Sequence, residues 1–324
     1  MAKNTVCISI LTGIVALASS YSLQAQKDTV KVGSFINSLY DFDFYEKSYN
    51  IDFWLWLLYE NPDLDFDGAI EIKPSKDFQL SNVILDETAG LQWLSMKVHA
   101  ELRKDWDLTK YPFDTQSLCF YVESADWDTS TMVFVPDLEN SKIDPCFALD
   151  EWTITGTSFH EEITVYQTTY GDQELEGQSA YPAIKVQIEL LRKSSWLTLF
   201  KLITGVLVAF FISCLVFLIK PTNVDPRFGL CVGGLFAAIG NKYIIEGIVP
   251  STNAVTMLDS IHNLTYIFIL IIIIISIFSL KIFEKQTEKS IKISQKIDFI
   301  SLISISIVYT LAVSYLIFHG ADIL

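Results

Sequence analysis

Histidine and cysteine are scarce in this chain of 324 residues, with 4 and 5 copies, and acids outnumber bases 38 to 23. His99, His160, His262 and His319 are too scattered to form a sensor, and no Cys/His spacing suggests a metal site. A Ser/His/Asp set and a phosphate-binding loop are both missing, which argues against an enzyme and gives no reason to expect a cofactor. The shortage of positive charge is concentrated in residues 26–195, which hold 31 acids against 13 bases. That balance disfavours nucleic acid and anionic lipid as partners of this segment and favours cations, amines or protons, although solubility alone also accounts for it. The same stretch has no long apolar run and no helix-period segment of useful length.

The cysteines divide by position. Cys214 and Cys231 fall in apolar spans and read as small packing residues. Cys119 and Cys146 lie in the acidic segment, where a disulfide is open but not required. Cys7 belongs to an N-terminal apolar run, residues 6–19, that is shorter than the ~20 residues needed to cross a bilayer. Leu23-Gln24-Ala25 comes after it as a small-residue cleavage site. Residues 1–25 are therefore expected to be a secretory signal, with an uncleaved anchor as the alternative, and either one exports the acidic segment.

Residues 26–195 read as β throughout. Strand-length stretches occur at 52–59, 69–72, 93–102, 118–122, 132–135, 152–159, 163–170 and 183–191. Several alternate, with apolar residues on one face. Asn61-Pro62-Asp63, Asp67-Gly68, Pro74-Ser75, Tyr111-Pro112 and Gly171-Asp172 punctuate them. Many short strands with such breaks imply a β-sandwich or barrel. Trp54, Trp56, Trp93 and Trp152 are assigned to its core or an interface.

Residues 196–324 hold four apolar spans, at about 196–219, 228–249, 255–280 and 297–318. Between the last two lie Lys281, Lys285, Lys289, Lys292 and Lys296, so residues 281–296 are expected to form a cytoplasmic loop. The N-terminal domain and the C-terminus then both lie outside the cell membrane. The fold class is thus a β-sandwich followed by a four-helix transmembrane bundle.

The second span is the least apolar. It carries Asn241, Lys242 and Glu246, and the last two are spaced to pair across one helical turn. Gly229, Gly233, Phe236, Gly240, Tyr243 and Gly247 recur at heptad spacing along one face. Facing an axial pore, that stripe would be wide at its glycines and narrow at Phe236 and Tyr243, and an apolar ring at Phe236 can gate by dewetting. Gly229-x-x-x-Gly233 is equally a helix-packing motif.

Tyr111-Pro112-Phe113-Asp114-Thr115-Gln116 resembles the signature loop of the pentameric ligand-gated ion channel (Cys-loop receptor) superfamily. Arg192 stands just before the first span, Asp225-Pro226-Arg227 precedes the second, and Pro250 opens the linker to the third, as in that family. The resemblance covers the whole chain after the signal. Lys104 and Leu118 occupy the places of the two loop cysteines, and the long insertion before the last helix is missing, both as in the bacterial branch. The first span also lacks the proline common in eukaryotic members.

The resemblance implies a homopentamer, each chain packing with four further copies in the lipid bilayer of the cell inner membrane and passing ions. It implies an Asp114–Arg192 ion pair at the domain junction, with a fold-stabilising pair as the plainer reading. It implies that Pro112 and Phe113 dock on residues 250–255, and that Asp43, Glu46 and Lys47 meet the same linker. Glu123, Trp127, Tyr166, Tyr170 and Tyr181 would surround an amine agonist, with ordinary packing as the alternative. Protons are the rival agonist, because clustered carboxylates raise one another's pKa. Asp225 would form a ring favouring cations, or simply cap its helix. The glycine and aromatic stripe departs from the family's polar-below, aliphatic-above pattern, which keeps a non-conducting receptor or scaffold in view.

Overall fold

The computed structural model describes residues 27–66, 68–171, 177–249 and 254–322. The expected signal at 1–25, residues 172–176 and Pro250 lie outside these.

Among the described residues, ten strands precede four helices. The strands are β1 (Asp28–Asp43), β2 (Ser48–Tyr59), β3 (Ile70–Lys73), β4 (Ser75–Thr88), β5 (Leu91–Arg103), β6 (Thr115–Ser124), β7 (Met132–Pro136), β8 (Lys142–Ile143), β9 (Trp152–Tyr166) and β10 (Ser179–Arg192). One sheet runs β4-β5-β2-β1-β7, with β8 also on β1, and the other runs β3-β6-β10-β9. Strict alternation in β2 sends Ile51, Phe53, Leu55 and Leu57 inward, and Phe53 meets Phe120 of the second sheet at 5.3 Å between ring centroids.

Besides the two-residue β8, which was not expected, three features differ from the sequence expectation. β1 and β4 were not anticipated. β1 pairs antiparallel with β2 from Lys31 to Asp43, but Gly33, Ser34, Asn37 and Ser38 dilute its apolar signal. β4 is an edge strand exposed along nearly its whole length, so nothing selects an apolar face. The third difference is that 152–159 and 163–170 are not two strands. One strand, β9, runs through both, held by β10 from Tyr166 to Trp152.

The helices are α1 (Ser195–Cys214, followed by a 3-10 turn, Leu215–Leu218), α2 (Val224–Glu246), α3 (Met257–Phe283) and α4 (Glu288–Gly320). All four are long and apolar enough to cross a membrane. α2 starts and ends earlier than 228–249, which leaves Gly247 just past its end. The expected loop at 281–296 is mostly helix. Thr287 and Ser290 form a reciprocal cap that starts α4 among the lysines, and Lys292 pairs with Glu288 at 2.6 Å. Charge marks where a helix leaves hydrocarbon, not where it stops.

Candidate functional site

α2 presents two unlike faces. Arg227, Cys231, Gly234, Ala238 and Ile245 are buried against the chain's own helices. Gly229, Gly233, Phe236, Gly240, Tyr243 and Gly247 are all exposed, Phe236 by 69% and Tyr243 by 78%. The heptad stripe therefore turns away from the rest of the chain. A Cβ at Gly229 or Gly233 would meet nothing within 4 Å, so these glycines do not pack α2 within its own chain. Gly234 does, since a Cβ there would clash with Ser213 Oγ and lie 2.8 Å from the Ala209 carbonyl oxygen.

Charged groups flank the stripe at both ends. Asp225 is exposed in the first turn of α2, while Asn223 takes the N-cap position, so Asp225 is not the cap. Arg227 turns inward and is fully buried, its Nη2 2.7 Å from Asp298 Oδ1 of α4 and its Nη1 3.4 Å from the Ile219 carbonyl oxygen. At the other end Lys242 sits 3.8 Å from Glu246 and 3.4 Å from Asp259 of α3. Next to Lys242, Asn241 meets the buried His262 of α3, whose Nε2 is 3.1 Å from Asn241 Oδ1 and whose Nδ1 is 2.8 Å from the Leu258 carbonyl oxygen. Asp298 and the Asn241–His262 contact were not visible in the sequence, because each joins helices distant along the chain.

The domain junction is built around Arg192. Its Nε donates to Asp114 Oδ1 at 2.7 Å and its Nη2 to Oδ2 at 3.1 Å, a two-pronged pair with side chains 4% and 2% exposed. Gln116 Nε2 donates to the same carboxylate at 2.9 Å. The guanidinium carbon lies 4.0 Å from the Trp152 ring centroid and 4.7 Å from that of Tyr111.

Of the expected residues Phe113 contacts a membrane helix, α1 where the linker was expected, and the other contacts come from neighbours of the expected residues. Pro112 is buried, and Phe113 meets Trp196 of α1 edge-on at 4.9 Å. The Thr109 carbonyl oxygen accepts from the Met257 N–H at 2.9 Å, at the start of α3. In the 43–47 turn, Asp43 accepts from the N–H groups of Tyr45 and Glu46. Lys47 pairs with Asp105 at 2.9 Å and Glu46 approaches Lys76 at 3.8 Å, so both charges stay within the β domain. Tyr45 is the residue that crosses, donating its hydroxyl to the Glu246 carbonyl oxygen at the end of α2. Lys110 reaches Asp322 near the C-terminus at 2.6 Å.

At the far end of the second sheet, Glu123 is 2% exposed. Its Oε1 accepts from Lys73 Nζ at 2.7 Å and from the Tyr166 hydroxyl at 2.8 Å, and Lys73 Nζ is 2.6 Å from that hydroxyl and from Glu71 Oε2. Burial works against the ammonium, but hydrogen bonds to Glu123, Glu71 and Tyr166 outweigh it and hold the Lys73 pKa above its ordinary value. Tyr170 and Tyr181 meet Tyr166 at 5.6 and 6.0 Å. The Trp127 indole N–H donates to the Asp65 carbonyl oxygen at 2.9 Å. Lys73 is the member of this cluster that sequence reasoning missed.

Hydrogen bonding, not mutual repulsion, governs the ectodomain carboxylates that shift. Among the described residues, those that shift, Glu101, Asp105, Asp107, Asp128 and Asp137, all move down. Hydrogen bonds lower them, from Lys76 and Ser48 for Glu101, where they outweigh the nearby charge of Asp43, and from Thr109 for Asp107. Cys119 and Cys146 are both free thiols.

No protein-family pattern matches the chain. It is 25% identical over 287 residues to the neuronal acetylcholine receptor alpha-5 subunit of Gallus gallus, covering 80% of this chain and 60% of that protein. It is 25% identical over 278 residues to a proton-gated ion channel of Gloeobacter violaceus, covering 82% and 71%. It is 26% identical over 241 residues to the neuronal acetylcholine receptor beta-3 subunit of Gallus gallus, covering 72% and 48%. The chain thus matches only part of the receptor subunits' length and more of the bacterial channel's. With four membrane-length helices, it is a multi-pass membrane protein whose N-terminal domain is extracellular.

Proposed function

Because the chain is a distant member of the pentameric ligand-gated ion channel (Cys-loop receptor) superfamily, we propose that it is one subunit of a homopentameric, cation-selective channel opened by a small ligand at the ectodomain. The observation that carries this reading is the outward-facing stripe of α2, with Phe236 and Tyr243 among the most exposed apolar side chains of the chain. Five such stripes around an axis would line a pore, with Phe236 as the apolar gate and Asp225 as a carboxylate ring at its cytoplasmic mouth. Arg227, drawn inward by Asp298, would leave that ring negative.

An amine as the agonist is supported by the buried Glu123 carboxylate with the Tyr166, Tyr170 and Tyr181 rings grouped beside it. The agonist must bind the open state more tightly than the closed one. Its effect would pass through Tyr45, Thr109 and Phe113 to the ends of α2, α3 and α1.

The bulk of Phe236 and Tyr243, and the lack of hydroxyl groups on the stripe beyond Tyr243, favour a second reading, a non-conducting receptor on the same fold. Ion flux into liposomes carrying the purified protein, with pH and a panel of amines varied, separates the two. Flux that Phe236→Ala or Phe236→Ser enlarges supports the channel. Silence from the wild type and from both variants refutes it.

A further inference from the structure

The aromatic cluster around Glu123 already contains a cation. A buried carboxylate, a tyrosine face and flanking aromatic rings are the groups that recognise an ammonium. Here Lys73 Nζ occupies that position, 2.7 Å from Glu123 Oε1 and 4.8 Å from the Tyr166 ring centroid. We propose that Lys73 is a tethered occupant of the cation subsite, and that an amine binds there by displacing it.

Three observations point to displacement. Glu123 Oε2 is buried without a hydrogen-bond partner, so the carboxylate has an acceptor that Lys73 does not use. An incoming primary ammonium has three N–H donors and can take both oxygens. Lys73 also has somewhere to go. Glu71, on the same face of β3, already holds the ammonium at 2.6 Å, and its side chain is 44% exposed against 2% for Glu123. A released Lys73 therefore keeps a partner at the solvent edge while Tyr166 stays on Glu123. The route in is also present, as a cleft of about 430 Å³ lined by Lys73, Tyr121, Glu123 and Glu162.

The inference rests on reading the ectodomain as the ligand-binding domain, and it adds a built-in competitor. A tethered group competes at a high effective concentration, so the wild-type site takes free amines weakly, and removing the tether strengthens binding on the order of tenfold or more.

The test is calorimetric titration of the full-length protein in detergent with methylammonium, which reproduces the end of the lysine side chain. Lys73→Ala is expected to bind methylammonium about tenfold more tightly than the wild type. Lys73→Arg is expected to stay weak, and Lys73→Ala/Glu123→Gln to lose binding. Glu71→Gln removes the release position and is expected to weaken wild-type binding, which gives a readout even if Lys73→Ala fails to fold. Unchanged or weaker binding in a folded Lys73→Ala, or unchanged binding in Glu71→Gln, overturns the assignment. Binding is read independently of current. Amine-evoked currents that Lys73→Ala leaves at wild-type sensitivity overturn the tethered occupant and leave the channel standing. The expected binding pattern without any current does the reverse.

Discussion

Replacing Arg192 by methionine removes the cation from a site assembled around it. The guanidinium makes two bonds to Asp114, at 2.7 and 3.1 Å, and lies against Trp152 and Tyr111. The exposed Glu151, 3.4 Å from Nη1, adds little in water. Taking one partner from a buried pair costs about 3–5 kcal/mol, because the remaining charge stays buried without compensation. At roughly 2–4 °C per kcal/mol for a domain of this size, the β domain should melt about 6–20 °C lower. Asp114→Asn should act in the same direction but less, since Gln116 still hydrogen-bonds that position. The double variant Arg192→Met/Asp114→Leu leaves neither charge stranded, so its loss should be smaller than the sum of the single losses. Near-ultraviolet circular dichroism reports on the site directly, because Trp152 and Tyr111 border the pair. A fall of under about 2 °C for Arg192→Met, or strict additivity in the double variant, would refute the reasoning.

Arg227→Met should destabilise the helical domain by about 3–5 kcal/mol by stranding Asp298, as unfolding in detergent would reveal. Gly234→Ala should cost about 1–3 kcal/mol through its clash with Ser213 and Ala209, whereas Gly233→Ala, with open space at its Cβ, should be neutral or slightly stabilising. Thermal unfolding of the two alanine variants side by side checks this contrast. Asp137 has a lowered pKa: burial opposes its charge, but hydrogen bonds from Asn140, Lys31 and Trp56 outweigh that. Its stabilisation is therefore present above the ordinary carboxylate pKa, about 4, and is lost as pH falls through the lower folded value. Melting temperatures between neutral pH and pH 3 should fall at the acid end in the wild type, and less steeply in Asp137→Asn.

Periodicity exposed much of this architecture. β2 and β10 alternate cleanly because each has one face on the core, and the α2 stripe keeps heptad spacing because one face of that helix is unlike the others. β4 escaped detection because it buries almost nothing, and the start of α4 because its cap lies among lysines outside the apolar run. At the candidate sites, Asp114 and Arg192 were legible through the family motif. Lys73 was not, since its partners Glu123 and Tyr166 lie on other strands and only the packing of β3 on β6 brings them together. Tyr45 was hidden beside charged neighbours that drew attention to themselves, yet its long side chain is the one that reaches α2.

The most direct test of a pore along α2 is cysteine accessibility during voltage-clamp recording. Phe236→Cys and, on the buried face, Ala238→Cys would each be treated with a charged, thiol-reactive methanethiosulfonate while the channel is held open. The predicted result is a rapid change of current at Phe236→Cys and none beyond the wild-type background at Ala238→Cys. Currents that ignore modification at Phe236 but respond at Ala238 would contradict it, and place the ion path on the other face of the helix.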